Sequence, residues 1–450
     1  MAFTRSSYVL LTALLLAVFP FYSALGEEPA PAIVSPPTDL SLKGTFELAL
    51  KNSSRLAIGK ERVLQKETSV TENRSAFLPR ITLGVTDMDA TRNLKAQGVS
   101  FPGAPDKVGP FSTFDGRLTL NETLLNLAQQ GRVNSAREDS KSATLELDLA
   151  GNDVLYQSAL LYYNALRTEA AVEAEKANMD LSEELLTFSQ HQKEAGLTTL
   201  LDVTRARVKL AQDRQKWISA VSERDNAILA LQKQIGLPQG YPVRLVNDEV
   251  PATDFPPLNE SIKIALGKRK EITLQIQREK VREMQYRAVS GEKYPTIQLF
   301  SDYGEIGNGV NDAFPTYTVG VTLNLPLYDG RNLHAREEGL ASEIAQEQIR
   351  KKDTSLQVEL EVRQIFNDLI SAKKQLETAE ERVALAEKEL KLTEHRFETG
   401  VGNHIELLTT QTSVTEAREG LVESRYINQA TRLKYFYVTG QMEALFLRMH

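Results

Sequence analysis

Two long stretches without proline constrain the fold of this chain more than any other feature. No proline occurs between Pro110 and Pro238, and none follows Pro326. Both stretches are rich in alanine, leucine, glutamate, lysine and glutamine, which favour helices, whereas proline breaks them. Each stretch has one clear glycine breakpoint, at Gly196 or at Gly400. We therefore predict a long helix, a tight turn at the glycine and a shorter returning helix in each stretch.

The second stretch has the apolar spacing of a coiled coil, with one polar interruption at Thr393. The apolar positions alternate at intervals of four and three residues and are Ile365, Leu369, Ala372, Leu376, Ala379, Val383, Ala386, Leu390 and Phe397. Small residues are frequent on both faces of the first long helix, as expected if it packs against two neighbours. A helix of about 70 residues is about 100 Å long, which predicts an elongated bundle.

The two halves of the chain repeat one plan. An ungapped match pairs Pro79 with Pro295 and Leu83 with Leu299. The first repeat is predicted over 41–257, with helix 41–77, strands 80–90 and 112–122, long helix 126–195 and returning helix 198–236. The second repeat is predicted over 258–441, with helix 258–293, strands 296–304 and 315–326, long helix 331–399 and returning helix 402–439.

The N-terminus has the pattern of a secretory signal peptide. Arg5 precedes an apolar run, and small residues at Ala24 and Gly26 predict cleavage before Glu27. We predict a signal peptide over 1–26, a linker over 27–40 and a C-terminal tail over 442–450; a membrane-anchor helix is the alternative for the first segment. The chain has no cysteine, which excludes disulfides, and its formal charge of −7 gives no reason to expect a nucleic-acid partner.

The predicted strands alternate apolar residues with small or polar ones. This pattern is typical of a transmembrane β-barrel that is apolar toward lipid and polar toward a lumen. The predicted lipid-facing residues are Ile81, Leu83, Val85, Ile297, Leu299, Tyr317, Val319, Val321 and Leu323. A small soluble sheet that caps the helices is the alternative. Four strands cannot close a barrel, so a membrane location requires the chain to oligomerise.

The repeated order of elements, the strands that follow a proline and the turns AGLTTLLDV and TGVGNHIELL resemble the outer membrane efflux protein family, the TolC-like channels. The resemblance covers roughly residues 40–441. It implies a mainly α fold with a small antiparallel β part. A helical barrel of coiled coils would extend into the periplasm, and trimerisation would complete a twelve-stranded β-barrel, four strands per chain, in the outer membrane of a Gram-negative bacterium.

The resemblance also implies a function and partners. The chain would be the passive exit duct of a tripartite efflux or type I secretion system. It would be a homotrimer in contact with outer membrane lipid and with a periplasmic adaptor (membrane fusion) protein, which connects it to an inner-membrane RND, MFS or ABC transporter. No catalytic residue, metal site or cofactor is expected, because the sequence has no phosphate-binding loop, nucleophile elbow or zinc-spaced cluster. A periplasmic coiled-coil scaffold without channel activity is the alternative.

The family's adaptor-contact tips correspond to two tripeptides, Ala195-Gly196-Leu197 and Thr399-Gly400-Val401. The family's acidic entrance ring would include Glu406, whereas its second acidic position is Thr409 here. In the family, a lock joins an aspartate of the first hairpin to a tyrosine and an arginine of the second. This sequence has the family's residue only at the aspartate position, Asp202. The other two positions of that lock are Phe397 and Gly402.

These residues have simpler interpretations as well. Glu406 is either part of a gate or an ordinary solvated carboxylate, and Asp202 is either part of a gate or a cap of the returning helix. His191 and His395 occupy matching positions near the two tips, with His404 close by. Histidine titrates near neutral pH and binds metals, so a pH-sensitive gate or a metal route is one interpretation and exposed coiled-coil positions are the other.

Overall fold

The computed structural model describes residues 39–98, 102–103, 105–250, 255–399, 401 and 404–448. The predicted signal peptide, nearly all of the linker, Gly400 and Gly402 lie outside the described residues. The helices within them are α1 (Leu42–Asn52), α2 (Ser54–Ser75), α3 (Leu127–Glu194), α4 (Leu200–Ile235), α5 (Leu258–Lys268), α6 (Lys270–Ser290), α7 (Asn332–Glu398), α8 (His404–Val438) and α9 (Met442–Arg448). Short 3₁₀ turns occur at Lys95–Gln97, Gly291–Lys293 and Val310–Asp312.

The described strands form two sheets. They are β1 (Asp39–Leu40), β2 (Arg80–Asn93), β3 (Lys107–Leu125), β4 (Arg244–Leu245), β5 (Thr296–Gly307) and β6 (Phe314–Asn324). Strands β1 and β4 form a short parallel pair, and the other four form an antiparallel sheet in the order β2-β3-β5-β6. Strands β2 and β6 are therefore its edges. Strands β2 and β3 are longer than predicted, because their pairing extends past Ala90 to Asn93 and Lys107.

Each long helix packs antiparallel against the returning helix that follows it, so the described residues form two helical hairpins. We call α3 and α4 the first hairpin, and α7 and α8 the second hairpin. Helix α3 has 68 residues, about 100 Å at 1.5 Å per residue, and begins where the Asn126 side chain accepts a hydrogen bond from the backbone N–H of Gln129. In the half of the bundle that ends at the two glycine turns, the helices lie side by side in the order α4, α3, α8, α7. In the half next to the sheet, the order is α2, α3, α6, α7. Helix α3 thus packs on both sides, which explains its many small residues.

The heptad predicted in α7 is the surface that packs against α8. Ile365, Ala372 and Leu390 are buried there. Its polar interruption, Thr393, is also buried and accepts a hydrogen bond from the hydroxyl of Thr410 in α8 at 3.4 Å. The polar residue is therefore tolerated because its partner lies across the same coiled coil.

The structure corrects the single helices predicted over 41–77 and 258–293. Each is divided by one residue with extended backbone, Ser53 (φ −65°, ψ 117°) in the first and Arg269 (φ −65°, ψ 115°) in the second. The two breaks are separated by the same 216 residues as the matched prolines. The Ser53 hydroxyl caps α2 by accepting from the N–H of Leu56, whereas Arg269 bonds to Glu271 and Glu361 at 2.9 Å.

Both returning helices end against these breaks. Gly236 ends α4 and Gly440 follows α8, each with φ +69°, a conformation that side-chain-bearing residues rarely adopt. A Cβ on Gly236 would lie 2.5 Å from Asn52, and one on Gly440 would lie 3.0 Å from the backbone of Lys268. The glycines allow the helix ends to approach the breaks closely.

The main hydrophobic core lies at the level of the breaks. Phe46, Tyr162, Tyr435 and Ile365 are almost completely buried within it. The Tyr162 hydroxyl donates hydrogen bonds to the carbonyls of Leu40 and Val246, which fixes the β1–β4 pair against α3. The predicted C-terminal tail is corrected here, because α9 packs into this core through Met442 and Leu445.

Candidate functional site

The antiparallel sheet has one apolar and one polar face. Its register places Leu83 opposite Leu118, Leu118 opposite Tyr303, and Tyr303 opposite Tyr317. The nine residues predicted to face lipid all share this face: Ile81, Leu83, Val85, Ile297, Leu299, Tyr317, Val319, Val321 and Leu323. Most are strongly exposed, as Tyr317 is at 78%, whereas Ile297 and Leu299 are half-buried. Glu122 and Ser301 interrupt this face, but an exposed face that is otherwise so apolar needs a covering medium or partner.

The opposite face of the sheet is polar and bonds to itself. The hydroxyls of Thr82 and Thr119 lie 2.5 Å apart across β2 and β3. Arg117 bonds through Nε to Asp115 Oδ1 at 2.6 Å and through Nη1 to Asp302 Oδ1 at 3.2 Å. This face has the chemistry of a water-filled lumen.

The first tip joins α3 to α4. Thr199 and Asp202 form a capping box at the start of α4, in which each side chain bonds to the backbone N–H of the other. Asp202 also accepts hydrogen bonds from the hydroxyls of Thr198 at 3.0 Å and Thr199 at 2.7 Å. These bonds make Asp202 part of the helix cap. Ala195, Gly196 and Leu197 precede it, and the Leu197 side chain is 74% exposed.

The second tip joins α7 to α8. The hydroxyl of Thr399 donates to the carbonyl of His395 at 3.0 Å, and the N–H of Val401 donates to the carbonyl of Arg396 at 3.0 Å. Arg396 Nη1 also lies 3.1 Å from Glu406 Oε1, which joins the end of α7 to the start of α8. The predicted acidic residue is therefore compensated by a guanidinium within its own hairpin.

Phe397 and Thr409, two further predicted gate residues, have different surroundings. The Phe397 ring packs against Phe188 of α3, with ring centroids 5.6 Å apart. Leu181, Leu185, Leu390 and Leu407 belong to the same apolar cluster. Thr409 is exposed and its hydroxyl donates to the carbonyl of Ile405 in its own helix at 2.9 Å. Phe397 thus connects the two hairpins by an apolar contact, whereas the described bond of Thr409 is local.

A buried polar layer farther from the tips than this cluster also connects the hairpins, and we did not predict it from the sequence. Gln411 of α8 donates through Nε2 to the hydroxyl of Ser182 in α3 at 2.7 Å. That hydroxyl donates to Asp213 of α4, which Lys209 Nζ approaches to 2.8 Å. The available signal was the 3–4 spacing of Asn178, Ser182, Leu185 and Ser189, which marks a helix–helix seam with polar members.

A second set of polar links lies farther from the tips. Lys216 Nζ of α4 lies 2.7 Å from Glu419 Oε1 of α8, and Arg167 of α3 lies 3.5 Å from Glu423 of α8. Glu175 of α3 is buried beside Glu419. Burial, together with the hydrogen bond to Glu419 and its charge, raises the pKa of Glu175 to about 7. Burial alone would raise the pKa of Glu419, but hydrogen bonds from Lys216 and Glu175 outweigh it and lower that pKa.

The outer helices of the layer carry exposed apolar stripes. On α7 the exposed residues share one face of the helix and are Ile349, Leu356, Leu360, Ile370, Leu385 and Leu392. On the opposite edge they are Leu201 and Val208 of α4 with Ile58 and Leu64 of α2. An apolar helix face that no other described element covers indicates a helix that packs against another chain.

Two of the three histidines near the tips have side chains in the part of the chain that the structure describes. His191 and His395 are exposed, and the side chain of His404 lies outside the described set. Within that part, no cluster of three or more histidine, cysteine, aspartate or glutamate residues is arranged to bind a metal ion. No described helix is both long enough and apolar enough to span a bilayer.

Comparisons with known proteins place these features in one family. The model of the outer membrane efflux protein family matches residues 45–237 and 261–434. The proteases secretion protein PrtF of Dickeya chrysanthemi is 25% identical over 430 residues, 90% of this chain and 88% of that protein. The pyoverdine export outer membrane protein OpmQ of Pseudomonas aeruginosa is 23% identical over 396 residues, 85% of this chain and 81% of that protein.

A solved structure shows the same fold. The outer membrane protein VceC of Vibrio cholerae superimposes with a TM-score of 0.74 at 17% identity, over 89% of this chain and 96% of that chain. The expected fold class is confirmed: mainly α, with a small antiparallel sheet and with the barrels that this family completes on trimerisation. Its members are transport channels rather than enzymes. The chain belongs to the outer membrane efflux protein family, and it is an outer membrane protein of a Gram-negative bacterium with a large periplasmic helical part.

Proposed function

We propose that this chain forms, as a homotrimer, a passive exit duct through the outer membrane. The observation that carries the proposal is the four-stranded sheet, whose apolar face is exposed and whose edge strands β2 and β6 both lack a neighbour within the described chain. Unpaired backbone groups at a sheet edge are costly in lipid, and only a closed barrel removes them. Three copies would supply twelve strands, with the residues predicted to face lipid on the outside.

The helices support the same closed ring. The apolar stripe of α7 lies on one edge of the helical layer, and the stripe of α4 and α2 lies on the other. Two different, complementary edges produce a cyclic assembly when the rotation closes. The open edges of the sheet and the apolar edges of the helical layer can therefore be covered by the same neighbouring copies of the chain. This favours a duct over a scaffold that associates only through its sheet.

We propose that the tips contact a periplasmic adaptor protein. Leu197 of the first tip and Val401 of the second expose 74% and 72% of their surfaces, and Leu200 and Ile405 beside them are exposed as well. Apolar side chains at the end of a hairpin suit contact with a partner helix. Ala195, Gly196, Thr399 and Gly400 would complete this contact. The adaptor would connect the duct to an RND, MFS or ABC transporter in a tripartite efflux or type I secretion system.

The cargo would be selected by those partners. The names of two relatives describe very different cargoes, secreted proteases for PrtF and the small molecule pyoverdine for OpmQ. A duct of one fold that serves both classes has little need for a specific binding site. We therefore propose a passage in which the transporter chooses the substrate.

The gate, in this proposal, lies where the hairpins approach the threefold axis. Glu406 with Arg396 would set the charge of the entrance, and Asp202 would hold the shape of the first tip through its cap. Thr409 and Gly402 would take the places of two of the family's gate residues. Phe397 would resist separation of the hairpins through its contact with Phe188. We further propose that residues 41–257 and 258–441 are two repeats of one structural unit, which the matched breaks at Ser53 and Arg269 support.

Membrane fractionation of the full chain tests this proposal against the scaffold. We expect the protein to remain with outer membranes through an alkaline carbonate wash, to be released by detergent, and to have three times the mass of one chain. Release without detergent as a soluble protein would contradict the duct and favour the periplasmic scaffold.

A further inference from the structure

A charged cleft separates the returning helices of the two hairpins. Helix α3 forms its floor, α4 and α8 form its walls, and its volume is about 900 Å³. Its charged groups are Arg167 and Glu175 from α3, Lys209, Asp213, Lys216 and Glu223 from α4, and Glu416, Glu419 and Glu423 from α8. The cleft crosses the boundary between the first and second hairpins, so a bond across it resists their separation.

Two carboxylates of this group are buried, Asp213 and Glu175, and of these Asp213 is paired with Lys209. Only 7% of the surface of Glu175 is exposed, and its Oε2 atom makes no hydrogen bond of good geometry among the described residues, although the Asn178 amide one turn along α3 favours its charged form. Its nearest charged neighbours are Glu419, with which it can share a hydrogen bond, and Lys216. Two adjacent carboxylates form such a bond only when one of them carries a proton.

The neighbouring ion pairs leave Glu175 without a cation of its own. Lys216 Nζ is 2.7 Å from Glu419 Oε1, Lys209 Nζ is 2.8 Å from Asp213 Oδ1, and Arg167 is 3.5 Å from Glu423. One lysine therefore faces two carboxylates, and a proton on Glu175 balances the charge. The environment supports this by raising the pKa of Glu175 to about 7.

We propose that Glu175, Glu419 and Lys216 form a proton-dependent lock that holds the second hairpin against the first. With a proton, the Glu175 carboxyl donates to the Glu419 carboxylate, which also accepts from Lys216, and the bonds join α3, α4 and α8. Without it, the two carboxylates repel each other across the cleft. The inference rests on the proposed function in one respect: separation of the hairpins is what would open the periplasmic entrance.

The direction of the pH effect follows from linkage. Separation of the hairpins hydrates Glu175 and returns its pKa toward the ordinary 4.5, so the closed arrangement binds a proton that the open one releases. Raising the pH from 6 to 8 therefore favours opening, by about tenfold in the open-to-closed ratio of each protomer. The contribution of Glu175 is complete only below its ordinary pKa of 4.5, whereas the Glu419–Lys216 pair weakens as the pH falls below the ordinary pKa of Glu419, so the lock is strongest near pH 4.5.

Distances between the hairpins test the lock without any need for conduction. The chain has no cysteine, so a spin label can be placed on α4 by Arg214→Cys and on α8 by Arg425→Cys, at two exposed positions. Doubly labelled full-length chain, diluted with unlabelled chain in detergent-solubilised trimers, would be measured by pulsed electron paramagnetic resonance at pH 6 and at pH 8. We expect the longer-distance population to grow about tenfold relative to the shorter one.

Glu175→Gln should remove this pH response, because glutamine donates to Glu419 at every pH. Glu416→Gln is the matched control, since Glu416 lines the same cleft but pairs with Arg382 inside the second hairpin. It should respond as the wild type does. If Glu175→Gln does not assemble, Glu419→Gln should leave a smaller response than the wild type, because the hydrogen bond and the repulsion from Glu419 are gone while burial of Glu175 remains. A wild type without a pH response, or a Glu175→Gln or Glu419→Gln variant that retains the full response, would overturn the lock, whereas failure of the duct itself would appear separately in the fractionation.

Discussion

The carboxylate of Glu406 illustrates how one contact changes the meaning of a sequence position. A ring of three carboxylates at a narrow entrance would concentrate negative potential and favour cations. The structure places Arg396 Nη1 3.1 Å from that carboxylate, in the same tip. Both side chains are well exposed, and such surface pairs contribute only about 0–1 kcal/mol to stability. We therefore assign the pair to the charge of the entrance rather than to the strength of the tip.

Substitution of either partner should shift ion preference in opposite directions. Arg396→Gln leaves three uncompensated carboxylates and should increase cation preference, whereas Glu406→Gln leaves three guanidinium groups and should move preference toward anions. The reversal potential of the channel in a potassium chloride gradient measures both. Glu389→Gln, at a position on α7 away from the tip, serves as the control. Equal reversal potentials for the two tip variants would remove the pair from the entrance.

Single residues also show where prediction from sequence succeeds and fails. The alternation of β6 predicted correctly which residues share a face, because a strand has a fixed period of two. The heptad of α7 marked Thr393 as an interruption but did not reveal its partner, Thr410, since a hydroxyl on a facing helix leaves no trace in the pattern. The burial of Glu175 was not predicted either, because a glutamate in a helix is typical of a solvated face.

At the scale of elements, the crossing of α3 and α6 depends on the absence of one side chain. A Cβ on Gly131 of α3 would lie 2.4 Å from the Cα of Ala288 in α6. Gly151, farther along α3, has no atom within 4 Å of the same position. The two glycines of this helix therefore differ in effect. Gly131 allows α6 to approach closely, whereas Gly151 makes no close contact and only weakens the helix.

Alanine at these two positions should change stability in opposite directions. Gly131→Ala should destabilise the folded protein by about 1–3 kcal/mol, because the helices must separate to admit the methyl group. Gly151→Ala should stabilise it by about 0.5–1 kcal/mol, because alanine favours the helix and meets no neighbour. Thermal unfolding of the detergent-solubilised protein, followed by circular dichroism, measures both. A loss of stability in Gly151→Ala as large as that in Gly131→Ala would contradict the close crossing.

The divided helices show what the sequence could not specify at this scale. Ser53 is a normal helix-capping residue, but Arg269 at the matching position is a good helix former and predicts continuity. The break at Arg269 is stabilised by tertiary contacts instead, including a bond from Nη1 to the carbonyl of Val438 at 3.2 Å. Tertiary contacts of this kind override local propensity.

At the scale of the whole molecule, the exposed stripe of α7 is the feature that most requires a neighbour. Ile370→Glu combined with Leu356→Glu places carboxylates where the proposed trimer buries apolar groups, and each unpaired buried charge costs several kcal/mol. We expect dissociation to monomers in size-exclusion chromatography with light scattering. Gln375→Glu adds a carboxylate to an exposed position of α7 off the stripe and should leave the trimer intact. A trimeric double variant would place the interface elsewhere.

The number of chains in the assembly lies beyond pattern analysis of one sequence. Alternating strands and open edges require more strands than one chain supplies, but they give only a multiple of four. The number three enters through the family, whose members complete their barrels as trimers. Closure depends on strand tilt and on the angle between neighbouring hairpins, and neither leaves a signature in the order of residues.

Single-channel conductance in planar bilayers tests the central claim most directly. Purified full-length protein in detergent would be added to a lipid bilayer and the current recorded at constant voltage. The proposed duct predicts discrete, reproducible steps of small conductance, because the hairpins keep the periplasmic entrance narrow without an adaptor. A silent bilayer, with protein that is demonstrably folded and inserted, would contradict a continuous passage through the trimer.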